Sequence, residues 1–225
     1  AGDSMDKNLT YEYLHGTNIY LYQRRDMFRM NTDTALLAEF MKINKGERVL
    51  DVGTNNGALL LAANRCEPSY LIGVEIQEEA AELARMNMRH HGIEHADILC
   101  ADYKEASLPA VDVVVCNPPY FKVGEHSHLN ERESLKIARH EAYLSFPEFC
   151  EKTSSLLAEK GRCYIVHRAA RVAELCTELT LHRLSPKTLQ FVYDENKEEA
   201  VSVLIEAVKD GNNGCHVLMP YYLRR

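Results

Sequence analysis

Four polar residues in this chain each close a short apolar run, and their types suit the holding of a ligand. They are Asp51 in Arg48-Val49-Leu50-Asp51-Val52, Glu75 at the end of Tyr70-Leu71-Ile72-Gly73-Val74-Glu75, Asp102 after Ala96-Asp97-Ile98-Leu99-Cys100-Ala101, and Asn117 after Val111-Asp112-Val113-Val114-Val115-Cys116. Asn117 begins the tetrapeptide Asn117-Pro118-Pro119-Tyr120. Two prolines cannot continue a sheet ladder, so the chain leaves the sheet there and the Pro118 carbonyl is free to accept a hydrogen bond. The side-chain oxygen of Asn117 offers a second acceptor. Two converging acceptors can hold a primary amine, and Tyr120 offers a flat face for the planar group that carries it. Taken alone, the tetrapeptide is equally a stiff exit turn. Its meaning depends on whether a cofactor site precedes it.

Stepping upstream, residues 48–61 read as strand, tight turn and helix, with Gly53 and Gly57 allowing backbone to pass close to a ligand. Asn55 stands where the Gly-x-Gly-x-x-Gly dinucleotide fingerprint has its second glycine, and asparagine tolerates left-handed backbone next best. Glu75 closes the following strand, where a carboxylate takes a ribose diol. On these features alone an NAD-binding Rossmann enzyme stays open.

The elements needed to place these residues are legible in outline. Asn31 or Thr32 is a plausible N-cap for a helix that follows, Gln77–His91 forms a longer helix stopped by Gly92, and Phe146–Glu159 and Ala169–Leu179 are two more. Strands are expected at 48–52, 70–76, 96–103, 111–116, 161–167, 187–193 and 200–207. The fold class is therefore α/β, a Rossmann-like seven-stranded mostly parallel sheet with helices on both faces and its last strand antiparallel. On a parallel sheet Asp51, Glu75, Asp102 and Asn117 then share one rim. Residues 1–30 read as an arm of turns without clear period, 31–210 as the main domain, and 211–225 as a tail with little signal.

A length of 225 residues, 46% of them hydrophobic, suits one domain with a full core. The seven cysteines include no Cys-x-x-Cys pair and fit reduced thiols, hence a cytoplasmic location. No apolar run reaches transmembrane length. Ala1-Gly2-Asp3-Ser4 ahead of Met5 reads as a cloning remnant. A net charge of −7 excludes a wholly basic nucleic-acid surface, so such a partner must meet local positive patches. The first segment interleaves Tyr11, Tyr13, Tyr20 and Tyr22 with Arg24, Arg25 and Arg29, which suits either RNA contact or an apron over a core edge. Lys122, Arg132, Lys136, Arg139 and His140 make a second basic stretch. His126-x-His128 has no further ligand pattern, and no metal is expected.

Taken together, Asp51-x-Gly53-x-Asn55-x-Gly57, Glu75, Asp102 and Asn117-Pro118-Pro119-Tyr120 resemble the class I S-adenosylmethionine-dependent methyltransferases that modify exocyclic or amide nitrogens. Phe28-Arg29-Met30-Asn31-Thr32-Asp33-Thr34-Ala35-Leu36-Leu37-Ala38 and Ile137-Ala138-Arg139-His140-Glu141 look like the small-domain branch related to the tRNA(Val) adenine-N6 methyltransferases. The resemblance implies S-adenosylmethionine as cofactor, with Asp51 and the Gly53, Asn55 and Gly57 turn against its methionine part. Glu75 then takes the ribose, Ile76 packs on the adenine, Asp102 accepts from the adenine amino group, and Phe28, Thr32 and Asp33 close the site. Asn117, Pro118 and Tyr120 hold the acceptor amine, while Arg24, Arg25, Phe121, Lys122 and Arg139 meet an RNA substrate, most naturally a tRNA. An acidic rim also suits a sulfonium better than a pyrophosphate, which disfavours NAD independently. The rival readings are a guanine-N2 methyltransferase of RNA, a methyltransferase of protein glutamine, and a non-enzymatic RNA-binding module. No membrane partner is expected. The oligomeric state stays open and is compatible with a monomer.

Overall fold

The computed structural model describes residues 8–25, 32–117, 121–122 and 144–223, with Phe121 and Lys122 described as backbone alone. The segment expected as a turn-rich arm forms a hairpin of β1 (Leu9–Leu14) and β2 (Ile19–Arg24), pairing Tyr11 with Tyr22 and Tyr13 with Tyr20. Ile19, Leu21 and Gln23 are buried and Tyr20, Tyr22 and Arg24 lie on the opposite face, so the period is two. Tyrosines on the outer face made both faces look apolar and hid that alternation from the sequence.

The chain then runs through α1 (Thr32–Phe40), β3 (Arg48–Val52), α2 (Ala58–Asn64), β4 (Tyr70–Glu75), α3 (Glu78–His90), β5 (Ala96–Cys100) and β6 (Val111–Cys116). After β6, β7 (Phe121–Lys122) pairs in parallel with β8 (Leu144–Ser145). There follow α4 (Phe146–Leu156), β9 (Leu157–Arg168), a short 3-10 turn into α5 (Val172–Leu181), β10 (Leu184–Asp194) and β11 (Ser202–Lys209). The tail adds β12 (His216–Val217) and β13 (Tyr221–Leu223), both parallel to β10.

Among the described residues the main sheet runs β12-β10-β11-β9-β6-β3-β4-β5, with β13 also on β10. The seven expected strands are present, and β11 is antiparallel to both its neighbours, β9 and β10. The two short tail strands were not expected. They are held by backbone, as when Leu218 N–H donates to the Leu189 carbonyl at 2.8 Å, while Val217, Leu218 and Met219 stay exposed and show no alternation.

Strand alternation sorts the core into two layers. Val49, Leu71, Val113 and Val115 face α1, α2, α3 and the hairpin, whose Leu14, Ile19 and Leu21 are buried with them. Leu50, Ile72, Val114 and Ile165 face Phe146, Phe149 and Cys150 of α4 and Leu175 and Leu179 of α5. α4 begins with a capping box: Ser145 Oγ accepts from Glu148 N–H at 3.2 Å and Glu148 Oε1 accepts from Ser145 N–H at 3.1 Å. It was expected to reach Glu159 but ends at Leu156, because Leu157 is buried and pairs with Val111. Sheet pairing outweighs the helix propensity of Ala158-Glu159-Lys160.

Candidate active site

The parallel order β6-β3-β4-β5 brings Asn117, Asp51, Glu75 and Asp102 along the carboxyl rim in that sequence, although β5 ends at Cys100, two residues before Asp102. Asp51 is buried. Its Oδ2 accepts from Thr54 Oγ1 at 2.8 Å, while its Oδ1 has no partner among the described residues. Burial pushes its carboxyl up to about 8, the Thr54 hydrogen bond opposes this, and the neighbouring Glu75 adds to it.

The turn after β3 is fixed by backbone bonds. Gly53 and Thr54 N–H both donate to the Val74 carbonyl, at 2.8 and 3.0 Å, and Gly57 N–H donates to the Thr54 carbonyl at 2.8 Å. Gly57 has a φ of 85°, the left-handed conformation that favours glycine, while a Cβ there would stand 2.9 Å from Cε at the flexible end of Met88, which could shift. Gly53 has a φ of 71°, and a Cβ on it would meet nothing among the described residues within 4 Å. Asn55 takes a φ of 52°, the left-handed conformation its residue type tolerates. Its N–H donates to Glu75 Oε1 at 2.9 Å, and Gln77 N–H donates to Glu75 Oε2 at 3.0 Å. Burial raises the Glu75 carboxyl, and those N–H donors hold it back. With Ile76 as a third backbone donor, the carboxylate retains capacity for one further donor.

At the outer end of the rim, Lys104 N–H donates to Asp102 Oδ1 at 3.0 Å and Lys104 Nζ lies 3.9 Å from its Oδ2. Ile76 is half-buried just after β4, and its carbonyl accepts from Cys100 Sγ at 3.7 Å.

On the other side of Asp51, the first turn of α1 lies over β6 and β11. Asn117 Nδ2 donates to Thr34 Oγ1 at 2.7 Å, and Ser202 Oγ donates to Asp33 Oδ1 at 3.1 Å. Burial raises the Asp33 carboxyl and the Ser202 hydrogen bond partly offsets it. Thr32 is exposed and lines a cleft of about 520 Å³ with Leu36, Glu39 and Tyr221. Arg24 ends β2 and the exposed Arg25 follows, its N–H donating to the Asn8 carbonyl at 2.8 Å. Phe28, Pro118, Tyr120, Arg139 and the side chains of Phe121 and Lys122 lie outside the described residues, as do His126 and His128.

Sequence reasoning missed Thr34, Thr54 and Ser202 as rim partners, and His167. His167 sits near the carboxyl end of β9, and its Nδ1 is the other buried side-chain atom without a partner among the described residues. Polar residues at strand ends are the signal that could have found Ser202 and His167. Among the described residues no three His, Cys, Asp or Glu side chains are grouped to hold a metal, and no helix is long and apolar enough to cross a membrane.

With Asp51, the glycine turn, Glu75, Asp102 and Asn117 all on one rim of a mostly parallel sheet, the fold and the site together are those of a Rossmann-like methyltransferase that uses S-adenosylmethionine. The residues fit that cofactor: a buried carboxylate oxygen on Asp51 without a partner among the described residues suits a ligand with ammonium and sulfonium charges, and none of the described residues crowds Gly53. Solved structures share the fold. A predicted O-methyltransferase from Agrobacterium tumefaciens aligns with a TM-score of 0.65 at 20% identity, over 85% of this chain and 87% of that one. A Thermus thermophilus 16S rRNA N2 G1207 methyltransferase in complex with AdoMet and guanosine aligns at 0.62 and 17% identity, over 89% of this chain and 50% of that one. Residues 27–192 match the methyltransferase small domain, and the chain belongs to that family. A tRNA1(Val) (adenine(37)-N6)-methyltransferase from Aliivibrio salmonicida is 36% identical over 170 residues, 72% of this chain and 67% of that protein. A protein of the same name from a Flavobacteriaceae bacterium is 31% identical over 198 residues, 80% of this chain and 83% of that protein.

Proposed function

We propose that this enzyme methylates the exocyclic N6 amine of an adenine in a tRNA, in the cytoplasm. The observation that carries the reading is the place of Asn117, directly after β6 and one strand from Asp51 on the same rim. The names of the relatives support the adenine and the tRNA. An adenine amine is a weak nucleophile because its lone pair is delocalised into the ring. Asn117 Oδ1 accepts one of its hydrogens, and the Pro118 carbonyl is the second acceptor suggested by the sequence. Together they favour a pyramidal nitrogen and aim its lone pair along the rim toward Asp51 and Gly53. S-adenosylmethionine, when bound, supplies an electrophilic methyl group. Orientation of this kind is worth up to roughly 7–11 kcal/mol in favourable cases. No general base is required, since the nitrogen's proton becomes acidic after transfer and leaves to water.

On the substrate side, Arg24 and Arg25 form one phosphate-contacting lip, and Lys122 and Arg139 another. Tyr120 is the stacking face for the extruded base, at about 1–3 kcal/mol, against the few kcal/mol of unstacking, and Phe121 is a further substrate-binding residue. Incubation with labelled S-adenosylmethionine and total tRNA, protein or DNA, followed by hydrolysis, tests the reading. Label in N6-methyladenosine from tRNA is expected. Label in N2-methylguanosine or in methylglutamine alone overturns it.

A further inference from the structure

The side-chain amide of asparagine is nearly symmetric in shape but opposite in chemistry at its two ends. If Asn117 receives an amine, its oxygen must face that amine, because the NH2 end would set donors against donors. Something must therefore fix which end points where. Asn117 Nδ2 lies 2.7 Å from Thr34 Oγ1, a buried hydroxyl in the first turn of α1. In that contact the amide nitrogen is the donor and the Thr34 oxygen the acceptor. With Nδ2 committed to that oxygen, Oδ1 is turned to the other side.

We propose that Thr34 is a positioning residue that locks the Asn117 amide with its oxygen toward the acceptor amine. It acts through Asn117, and the inference rests on the role given to Asn117 above. Thr34 is carried by α1, and Asp33 beside it is tied to Ser202 of β11 at 3.1 Å. The hydroxyl is thus held by an element anchored across the rim, which makes it a fixed reference for a rotatable amide.

The test compares Thr34→Val, which keeps the shape and removes the hydroxyl, with Thr34→Ser, which keeps the hydroxyl, and with Asn117→Ala. In Thr34→Val we expect kcat for tRNA methylation to fall roughly tenfold or more, the scale of one misdirected hydrogen bond. KM for tRNA, S-adenosylmethionine affinity by calorimetry and melting temperature should be unchanged, and Thr34→Ser should recover most of the turnover. A second readout is independent of activity. The Asn117 side-chain NH2 signals in a 15N-labelled sample, identified by their loss in Asn117→Ala, should exchange faster with solvent in Thr34→Val than in wild type or Thr34→Ser. Turnover within about twofold of wild type in Thr34→Val, with Asn117→Ala inactive, overturns the role of Thr34 and leaves that of Asn117 standing. Equal loss in the Val and Ser variants, or unchanged amide exchange, also overturns it. An active Asn117→Ala enzyme instead overturns the reading on which it rests.

Discussion

Asn87 of α3 grips Tyr22 of β2 as a neighbouring strand would: its Oδ1 accepts from the Tyr22 N–H at 2.7 Å, and its Nδ2 donates to the Tyr22 carbonyl at 2.9 Å. The same Nδ2 donates to the Asn56 carbonyl at 2.9 Å, inside the glycine turn. One buried amide therefore joins the hairpin to the turn. Asn87→Ala strands three backbone groups, and it should destabilise the protein by about 3 kcal/mol or more. Urea unfolding reads that loss. A change under about 0.5 kcal/mol, the scale of an ordinary surface substitution, contradicts the clamp.

Glu75→Ala removes the buried carboxylate proposed to take the ribose hydroxyls. S-adenosylmethionine binding should weaken by about 1.5–3 kcal/mol, the worth of a hydrogen bond to a charged group. Titration calorimetry on the folded variant measures it, and unchanged affinity removes Glu75 from the cofactor site.

Asp51 predicts a proton count. Its carboxyl has an ordinary value of 3.8 and is held at about 8 in the fold, mainly by burial. Between those limits the folded state binds more protons than the unfolded state, so the ligand-free protein loses stability as pH rises from about 4 to about 8. A cationic ligand beside Oδ1 favours the ionised form, so binding of S-adenosylmethionine at about pH 7 should release up to about one proton and tighten between about pH 6 and 7. Calorimetry in two buffers of different ionisation enthalpy counts that proton. Asp51→Asn should abolish both the release and the pH slope; a slope that persists assigns the proton elsewhere.

Reversal of Arg24 and Arg25 to glutamate should abolish tRNA methylation and leave S-adenosylmethionine affinity unchanged. On a chain of net charge −7, RNA binding rests on few cationic contacts and should weaken steeply with salt. Filter binding across a salt series, with turnover on the same tRNA, decides this. Normal methylation by the doubly reversed protein moves the RNA surface elsewhere.

The rim was legible because its strands are short, largely apolar runs with a polar residue at or near their carboxyl ends, as Val111–Cys116 stops at Asn117. The partners of those residues were not. Thr34 and Asn117 are 83 residues apart, and Asp33 and Ser202 are 169 apart. No local period records such pairs, which are set by how α1 lies across the finished sheet. Local propensity also misplaced one boundary, at Leu157, where a buried side chain and a strand partner decided the conformation.

The position of β11 has a consequence for synthesis. It lies between β9 and β10, yet it follows both in the chain. Until it emerges from the ribosome, β9 and β10, which lie two inter-strand spacings or roughly 9.6 Å apart in the finished sheet, have no shared neighbour. Ser202, its first residue, also brings the only hydrogen-bond partner recorded for the Asp33 side chain among the described residues. A nascent chain thus carries the glycine turn and its acids long before α1 is pinned over Asn117. Such late, long-range closure is slow, and it couples completion of the acceptor side of the site to the arrival of β11.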